Sequence, residues 1–180
     1  MFGDTWAHMP NYRRVFIPGG TSFLTVNLLE RRTKLLTENI QLLKLSIGRT
    51  QRKYPFRLEA LVILPNHLHA VITLPPSDSD YPTRVRLFKS RFAKSLPKTE
   101  RLSAVRKAKG ERSIWQRRYW EHSIRDERDF MNHVAYCYYN PVKHGWSKMP
   151  VIGRIQPIIA MCALDDLRKT INSSGRQTQH

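Results

Sequence analysis

The chain has 180 residues, enough for one domain with a substantial core but too few for two domains of ordinary size. Lys and Arg number 31 against 14 Asp and Glu, so the formal net charge is +17. Such a charge favours a polyanionic partner, above all nucleic acid, over a merely solvated surface. A membrane surface fits less well, because the sequence has neither a lipidation motif nor a basic amphipathic terminal helix.

No apolar run approaches the ~18 residues of a membrane helix, and the N-terminus lacks the charged-then-apolar order of a signal peptide. We therefore expect a cytoplasmic, nucleoid-associated protein. Cys137 and Cys162 lie outside any CxxC pattern, so reduced thiols are expected rather than a disulfide or a zinc site. Residues 1–150 are predicted to form a single domain and residues 151–180 a C-terminal extension that ends in a disordered tail.

The first half of the chain predicts a strand, a helix and two further strands. Apolar residues alternate with polar ones over 19–29, which is the pattern of a half-buried strand. A stripe at helical spacing over 33–53 predicts one long amphipathic helix, with Thr33 placed to cap its start. Two β-rich runs, 56–64 and 69–74, flank a Pro-Asn turn and predict adjacent antiparallel strands.

The second half continues with two helices and a strand. Apolar residues at helical spacing over 85–96, with basic residues around them, predict a helix, whereas the weakly patterned segment 97–112 is assigned no fixed structure. Residues 113–124 are extended in character, and 125–140 predict a helix that ends near Asn140 because a proline follows. This order predicts an α+β fold, a ferredoxin-like antiparallel sheet with helices on one face.

Two histidines, His67 and His69, occupy the start of the third predicted strand with one leucine between them. Side chains alternate faces along a strand, so both imidazoles project from the same face, roughly 6–7 Å apart at Cα. Two imidazoles so placed can bind one cation. On the pair alone, the alternative of satisfied polar groups within the sheet stays open.

A tyrosine-rich helix supplies the second candidate cluster. Tyr136 and Asn140 lie four residues apart, about one helical turn, so both could face the histidines. The nearby Tyr138 and Tyr139 are alternative nucleophiles, because the helix end before a proline leaves their facing uncertain. All three tyrosines could instead serve as aromatic core or as a base-stacking platform.

Three motifs in this order, "LPNHLHAVITLP", "IWQRRYWEHSIRDERDF" and "YCYYNPVKHGW", resemble those of the REP-associated tyrosine transposases, relatives of the single-tyrosine HUH transposases of bacterial insertion sequences. The resemblance runs from about Tyr12 to Trp146 and includes "YRRVFIPGGTSFLTVNL". It implies the HUH endonuclease fold and a tyrosine transposase, a DNA nickase and strand transferase. Such an enzyme would bind single-stranded DNA hairpins of the REP type and cleave and rejoin them through a 5′-phosphotyrosine intermediate.

The resemblance also assigns roles to individual residues. It places the nucleophile at Tyr136 and the metal ligands at His67, His69 and Asn140, with Mg²⁺ or Mn²⁺ as the expected ion. The residue before the nucleophile is often acidic in relatives but is Ala135 here. Relatives act as monomers or as homodimers, so both states stay open for this chain.

The predicted DNA contacts are basic residues for phosphates and an N-terminal group suited to reading bases. They are Tyr12, Arg13, Arg14, Arg84, Arg86, Lys89, Arg91, Lys94, Arg117 and Arg118. The alternative is that the charges form a solvated face. Two other functions compete with the transposase: a non-catalytic protein that binds DNA or RNA hairpins, and a metal-dependent phosphodiesterase that activates water at the two histidines.

Overall fold

The computed structural model describes residues 15–99, 104–108, 110, 112–143, 145 and 158–161. The strands in this part of the chain are β1 (Thr21–Asn27), β2 (Arg57–Ile63), β3 (His67–Thr73), β4 (Trp120–Ser123) and β5 (Ile158–Met161). The helices are α1 (Leu35–Glu38), α2 (Ile40–Lys53), α3 (Tyr81–Ser95), α4 (Ala104–Ala108) and α5 (Glu127–Lys143). None of the helices described here is both long and apolar enough to cross a bilayer.

The strands form one sheet in the order β4-β1-β3-β2-β5. The first four strands are antiparallel to their neighbours, and β5 pairs in parallel with β2. The arrangement β4-β1-β3-β2, with α2 and α3 in the two crossovers, is the ferredoxin-like plan, so the predicted fold class is confirmed. Strand β5 lies within the predicted C-terminal extension, and the remainder of 151–180 lies outside the described residues.

Helices cover both faces of the sheet, whereas the sequence predicted them on one. Apolar side chains on one face, such as Leu24, Val26 and Leu61, join the larger core cluster together with buried residues of α2 and α3. The alternate side chains, among them Phe23 and Val71, pack on the other face in a smaller cluster with residues of α5. Side chains that alternate along the strands therefore pack into two separate cores, because both faces of the sheet are partly buried.

The predicted helix over 33–53 is divided at Asn39. Asn39 has φ −117° and ψ 34°, which ends α1 before α2 begins. The N-cap of α1 is Lys34 rather than the predicted Thr33, which lies one residue earlier; its hydroxyl still accepts a hydrogen bond from the Leu35 amide at 3.1 Å. Periodicity alone did not reveal the division, because the apolar stripe continues through it.

Helix α5 does not end at Asn140, as the sequence predicted, but continues through the buried Pro141 to Lys143. A proline within a helix removes one amide donor, and the packing of its ring and of the buried Asn140 holds the helical path despite that loss. The stop is at Gly145, which has φ 70° and donates its amide to the Val142 carbonyl at 3.0 Å. A glycine with positive φ just beyond the last turn is a common helix terminator.

Candidate active site

Strand β3 sets the two histidines on the sheet face that α5 covers. In the sheet, His69 pairs with Thr25 and His67 with Asn27, so both imidazoles follow the side-chain direction of Val71 in the smaller core. Their ring centroids are 4.9 Å apart. His69 is buried, at 5% exposure, and His67 is partly exposed. The predicted convergence of the two rings on one side of the sheet is therefore present.

Neighbouring polar groups orient both imidazole rings. The Thr25 hydroxyl lies 2.8 Å from Nδ1 of His69. The Asn66 side-chain oxygen lies 2.6 Å from Nδ1 of His67, while the nitrogen of the same amide donates to the Arg31 carbonyl. Because an amide oxygen can only accept, Nδ1 of His67 carries a proton, and in the neutral ring Nε2 then keeps its lone pair. Partners of this kind on the far ring nitrogen are typical of metal-binding histidines.

Helix α5 brings Tyr136 against the histidines. The Tyr136 ring centroid is 5.1 Å from that of His69 and 5.7 Å from that of Phe23. Tyr136 lines the same cleft as the two histidines and is 38% exposed, so a substrate can reach it. Tyr139 is 57% exposed, and neither it nor Tyr138 lines the cleft, so of the three tyrosines only Tyr136 faces the histidines.

Asn140 lies one helical turn beyond Tyr136 and is almost fully buried, at 1% exposure. Its amide oxygen and nitrogen make no hydrogen bond of good geometry with other described residues. The amide is nevertheless close enough to the Tyr136 hydroxyl to favour the phenolate. A buried amide left in this state suits coordination of a hard divalent cation.

The environment of Tyr136 disfavours its ionised form. Burial raises the pKa of the Tyr136 hydroxyl above its ordinary value, Cys137 raises it further, and the nearby Asn140 amide acts in the opposite direction. Burial also raises the pKa of the Cys137 thiol to about 12, so this thiol stays protonated at neutral pH. An attack by Tyr136 therefore requires groups that stabilise negative charge as it develops on the phenol oxygen.

A second polar cluster, which the sequence reasoning did not identify, adjoins the cleft. The nitrogen and oxygen atoms of His122, Asp129 and His133 lie within 4.8 Å of one another. The Asp129 carboxylate accepts from His122 at 2.8 Å and from the Arg125 side chain at 3.1 Å. Burial opposes ionisation of Asp129, but these hydrogen bonds outweigh it and hold its pKa below the ordinary value.

This cluster has the geometry of a hydrogen-bonded network. The His122 and His133 rings are inclined by only 19° with centroids 4.7 Å apart, so they overlap face to face. One ion cannot lie in both ring planes, as coordination by ring nitrogens requires. His133 also donates its Nδ1 proton to the Asp129 carbonyl at 2.8 Å. The i,i+4 spacing of Asp129 and His133 was the sequence signal for this contact.

The histidines, Tyr136 and His133 share one open cleft of about 780 Å³. Its polar and aromatic lining includes residues that the sequence reasoning did not select: Thr25, Asn27, Arg31, Gln116, Tyr119, Trp120 and Asn132. Arg118, which was predicted to bind DNA, also lines the cleft and is exposed, as is the neighbouring Arg117. Aromatic surface beside cationic groups is the usual composition of a single-stranded nucleic-acid site.

None of the other predicted DNA contacts among the described residues lines the cleft, although Lys89 contacts the cleft-lining Gln116 and Tyr119. Arg86 and Lys94 are exposed on α3, a helix whose buried residues join the core on the far side of the sheet from the cleft. On that same helix, Lys89 donates to the Gln116 carbonyl at 2.7 Å and Arg91 to the Thr50 hydroxyl at 2.7 Å. The N-terminal group, Tyr12, Arg13 and Arg14, lies outside the described residues.

Among the predicted contacts that lie within the described residues, Arg84 is the one that the structure contradicts. Its side chain is 3% exposed, and the guanidinium donates to the Asp78 carboxylate at 2.7 Å and to the carbonyls of Pro55 and Asp80. The Arg84 guanidinium also holds the pKa of the Asp78 carboxyl below its ordinary value. Because its charge is buried and paired within the fold, Arg84 is a structural residue and not a phosphate contact.

Comparison with known proteins agrees with this architecture. Residues 22–137 match the family model described as "Transposase IS200 like". A REP-associated tyrosine transposase of Escherichia coli strain K12 is 45% identical over 140 residues, which cover 78% of this chain and 77% of that protein. A relative from Haemophilus influenzae is 44% identical over 139 residues, covering 77% of this chain and 79% of its own length.

A solved structure of a REP-associated tyrosine transposase bound to a REP hairpin superposes with a TM-score of 0.66. It is 45% identical in sequence to this chain and covers 78% of it and 77% of its own chain.

Proposed function

Because this chain belongs to the IS200-like transposase family and, within it, to the REP-associated tyrosine transposases, we propose that it is a metal-dependent single-stranded DNA endonuclease and strand transferase. Its substrate is a DNA hairpin of the REP type, which it cleaves and rejoins through a 5′-phosphotyrosine intermediate. The observation that carries the proposal is the approach of Tyr136 to within 5.1 Å of His69, ring to ring, in a cleft that both line.

The metal site in this proposal consists of His67, His69 and Asn140. The fit rests on three features: the two rings are 4.9 Å apart, their Nδ1 atoms are occupied by Asn66 and Thr25, and the Asn140 amide is buried with no good hydrogen bond to other described residues. Asn140 itself does not line the cleft. Transposases of this family are generally metal-dependent. A Mg²⁺ or Mn²⁺ ion bound there would supply Lewis acidity to an oxygen of the scissile phosphate.

The covalent step uses Tyr136 as the nucleophile. Its phenol oxygen forms a bond to phosphorus, the bond from phosphorus to the 3′ oxygen breaks, and the phenol proton is released as the 3′ oxygen gains one. The products are a free 3′-hydroxyl and a 5′-phosphotyrosine. Because phenolate is a good leaving group, a 3′-hydroxyl can reverse the reaction and rejoin strands without external energy.

Single-stranded DNA is proposed to enter the cleft between the histidines and the exposed Arg31 and Arg118. Trp120 and Tyr119 offer ring surface on which unpaired bases can stack. The exposed Arg117, next to Arg118 in the chain, adds positive charge beside the cleft. The exposed Arg86 and Lys94 on the far side of the sheet are proposed to contact hairpin phosphates. Lys89 and Arg91 on the same helix can add to the positive electrostatic potential there.

The N-terminal group, Tyr12 with Arg13 and Arg14, is proposed to read bases beside the hairpin through stacking and guanine edges. We further propose that residues 1–150 form the single catalytic domain, with 151–180 as an extension, and that the protein is cytoplasmic and nucleoid-associated. It acts as a monomer or a homodimer. Sedimentation with and without hairpin DNA distinguishes these two oligomeric states.

The test is covalent capture. Hairpin-bearing single-stranded DNA, labelled on the side that keeps the 5′-phosphate, is incubated with the protein and Mn²⁺ and run on a denaturing gel. The proposal predicts a labelled adduct that requires metal and is lost in Tyr136→Phe. Hairpin binding with no adduct would instead indicate a non-catalytic binding protein. Metal-dependent cleavage that survives Tyr136→Phe would indicate a phosphodiesterase that activates water.

A further inference from the structure

The continuation of α5 through Pro141 places a lysine on the same stripe as Tyr136. Tyr136, Asn140 and Lys143 are spaced by four and three residues, so they share one side of the helix. The Lys143 Nζ lies 5.9 Å from the centroid of the Tyr136 ring. Lys143 lies over the tyrosine because the helix continues to this residue instead of ending at Asn140.

Apart from the proposed metal ion and the arginines elsewhere in the cleft, the groups packed around Tyr136 are poorly suited to offset negative charge. His69 and Phe23 present ring surface to it, and Cys137 carries a thiol that burial keeps protonated. Asn140 offers a neutral amide. Lys143 brings a full positive charge to the Tyr136 ring.

The proposed reaction places negative charge on the Tyr136 oxygen in both directions. The phenol oxygen gains charge as it loses its proton on attack, and it carries the charge again as the leaving group during joining. A cation held over the ring that carries this oxygen lowers the cost of both steps, because opposite charge at short range favours the ionised form. The lysine stem is long and flexible enough to follow the oxygen during the step.

We propose that Lys143 is a further catalytic residue, whose ammonium group stabilises the negative charge that develops on the Tyr136 oxygen and the adjoining phosphate during cleavage and joining. This inference rests on the proposed function. A merely structural alternative exists, since a cation in the last turn of a helix also interacts favourably with the helix dipole. The two roles differ in what they change: the structural role changes stability, and the catalytic role changes the rate of the covalent step.

The test compares Lys143→Met, which removes the charge but keeps the length, with Lys143→Arg, which keeps the charge. Lys53→Met is the matched control, because Lys53 Nζ lies 5.8 Å from the Tyr54 ring, a similar contact at the end of α2. Single-turnover rates of adduct formation and of rejoining are measured with saturating hairpin DNA and Mn²⁺. DNA affinity and Tm are measured in parallel.

We expect Lys143→Met to slow both steps by roughly 10- to 100-fold, less than the loss of a fully buried oxyanion donor because Lys143 is exposed. Lys143→Arg should retain most of the rate, Lys53→Met all of it, and added ethylamine should partly restore Lys143→Met. DNA affinity and Tm should stay near those of the wild type.

Two outcomes overturn the inference while leaving the proposed function intact. One is a wild-type rate for Lys143→Met in a protein whose unaltered form gives the adduct. The other is a loss confined to DNA affinity, with saturated rates unchanged and no response to ethylamine. If the unaltered protein gives no adduct with metal and hairpin DNA, the proposed function itself fails, and the role of Lys143 fails with it.

Discussion

Replacement of Thr25 by valine tests whether the histidine pair is organised to bind metal. Valine keeps the shape of threonine but removes the hydroxyl that lies 2.8 Å from Nδ1 of His69. Loss of a hydrogen-bonding partner behind a metal-binding histidine typically lowers metal affinity by roughly 10- to 100-fold. We therefore expect the Kd for Mn²⁺, measured by calorimetry on the protein without DNA, to rise by that factor.

The same change should also lower stability, because His69 is buried and its ring loses one hydrogen bond. The expected cost is about 1–2 kcal/mol, which for a chain of this size lowers Tm by about 2–8 °C. Thr21→Val is the matched control, since it removes the hydroxyl that lies 2.9 Å from that of Thr73 between the same two strands. Equal Mn²⁺ affinity in Thr25→Val and Thr21→Val would refute the reasoning, whatever their stabilities.

Three further predictions follow from charged residues. Asp129→Asn should destabilise the fold by about 2–4 kcal/mol in urea unfolding at pH 7. Because the folded-state pKa of Asp129 is depressed, the stabilisation by its carboxylate should be present above about pH 4 and fade as pH falls below that. An undiminished difference in stability between wild type and variant at pH 2 would contradict this role of Asp129. Arg84→Met should cost about 1–3 kcal/mol, since it leaves the partly exposed Asp78 carboxylate and the Pro55 carbonyl without their donor. Arg86→Met should change stability by less than about 0.5 kcal/mol. Equal effects would be inconsistent with a structural Arg84. Arg118→Ala should reduce the slope of log affinity against log salt for single-stranded DNA by about 0.7, the share of one phosphate contact, and a slope equal to that of the wild type would remove Arg118 from the DNA path.

The histidine pair was predictable because it depends on one local rule. Side chains two apart on a strand share a face, and β3 forms where the β-rich run indicated. The residues that orient the rings were not predictable in the same way. Thr25 lies opposite His69 only because β1 and β3 pair in one particular register, which a single sequence does not specify.

Local rules failed where tertiary packing outweighed them. Pro141 has the sequence signature of a helix end, yet it is buried and α5 continues through it to Lys143. Arg84 has the sequence signature of a phosphate contact on an amphipathic helix, yet its guanidinium is paired with Asp78 and with the Pro55 carbonyl, a residue distant in the chain. In both cases the deciding contact is made by groups that the folded structure brings together.

The part of the site that α5 carries was predictable only as far along the chain as the helix itself was predicted. The spacing of Tyr136 and Asn140 indicated that they share a face, and the structure places Tyr136 against His69 and buries Asn140 one turn further along α5. Had the helix been extended by one turn in the prediction, the seven-residue spacing from Tyr136 to Lys143 would have indicated the lysine as well.

The most direct test of the central claim is to map the covalent bond. The adduct formed with hairpin DNA and Mn²⁺ is digested with nuclease and protease, and the peptide that carries the remaining nucleotide is sequenced by mass spectrometry. The account predicts a single modified residue, Tyr136, whose oxygen carries the 5′-phosphate. A nucleotide attached to Tyr138 or Tyr139, or cleavage with no modified peptide, would contradict it.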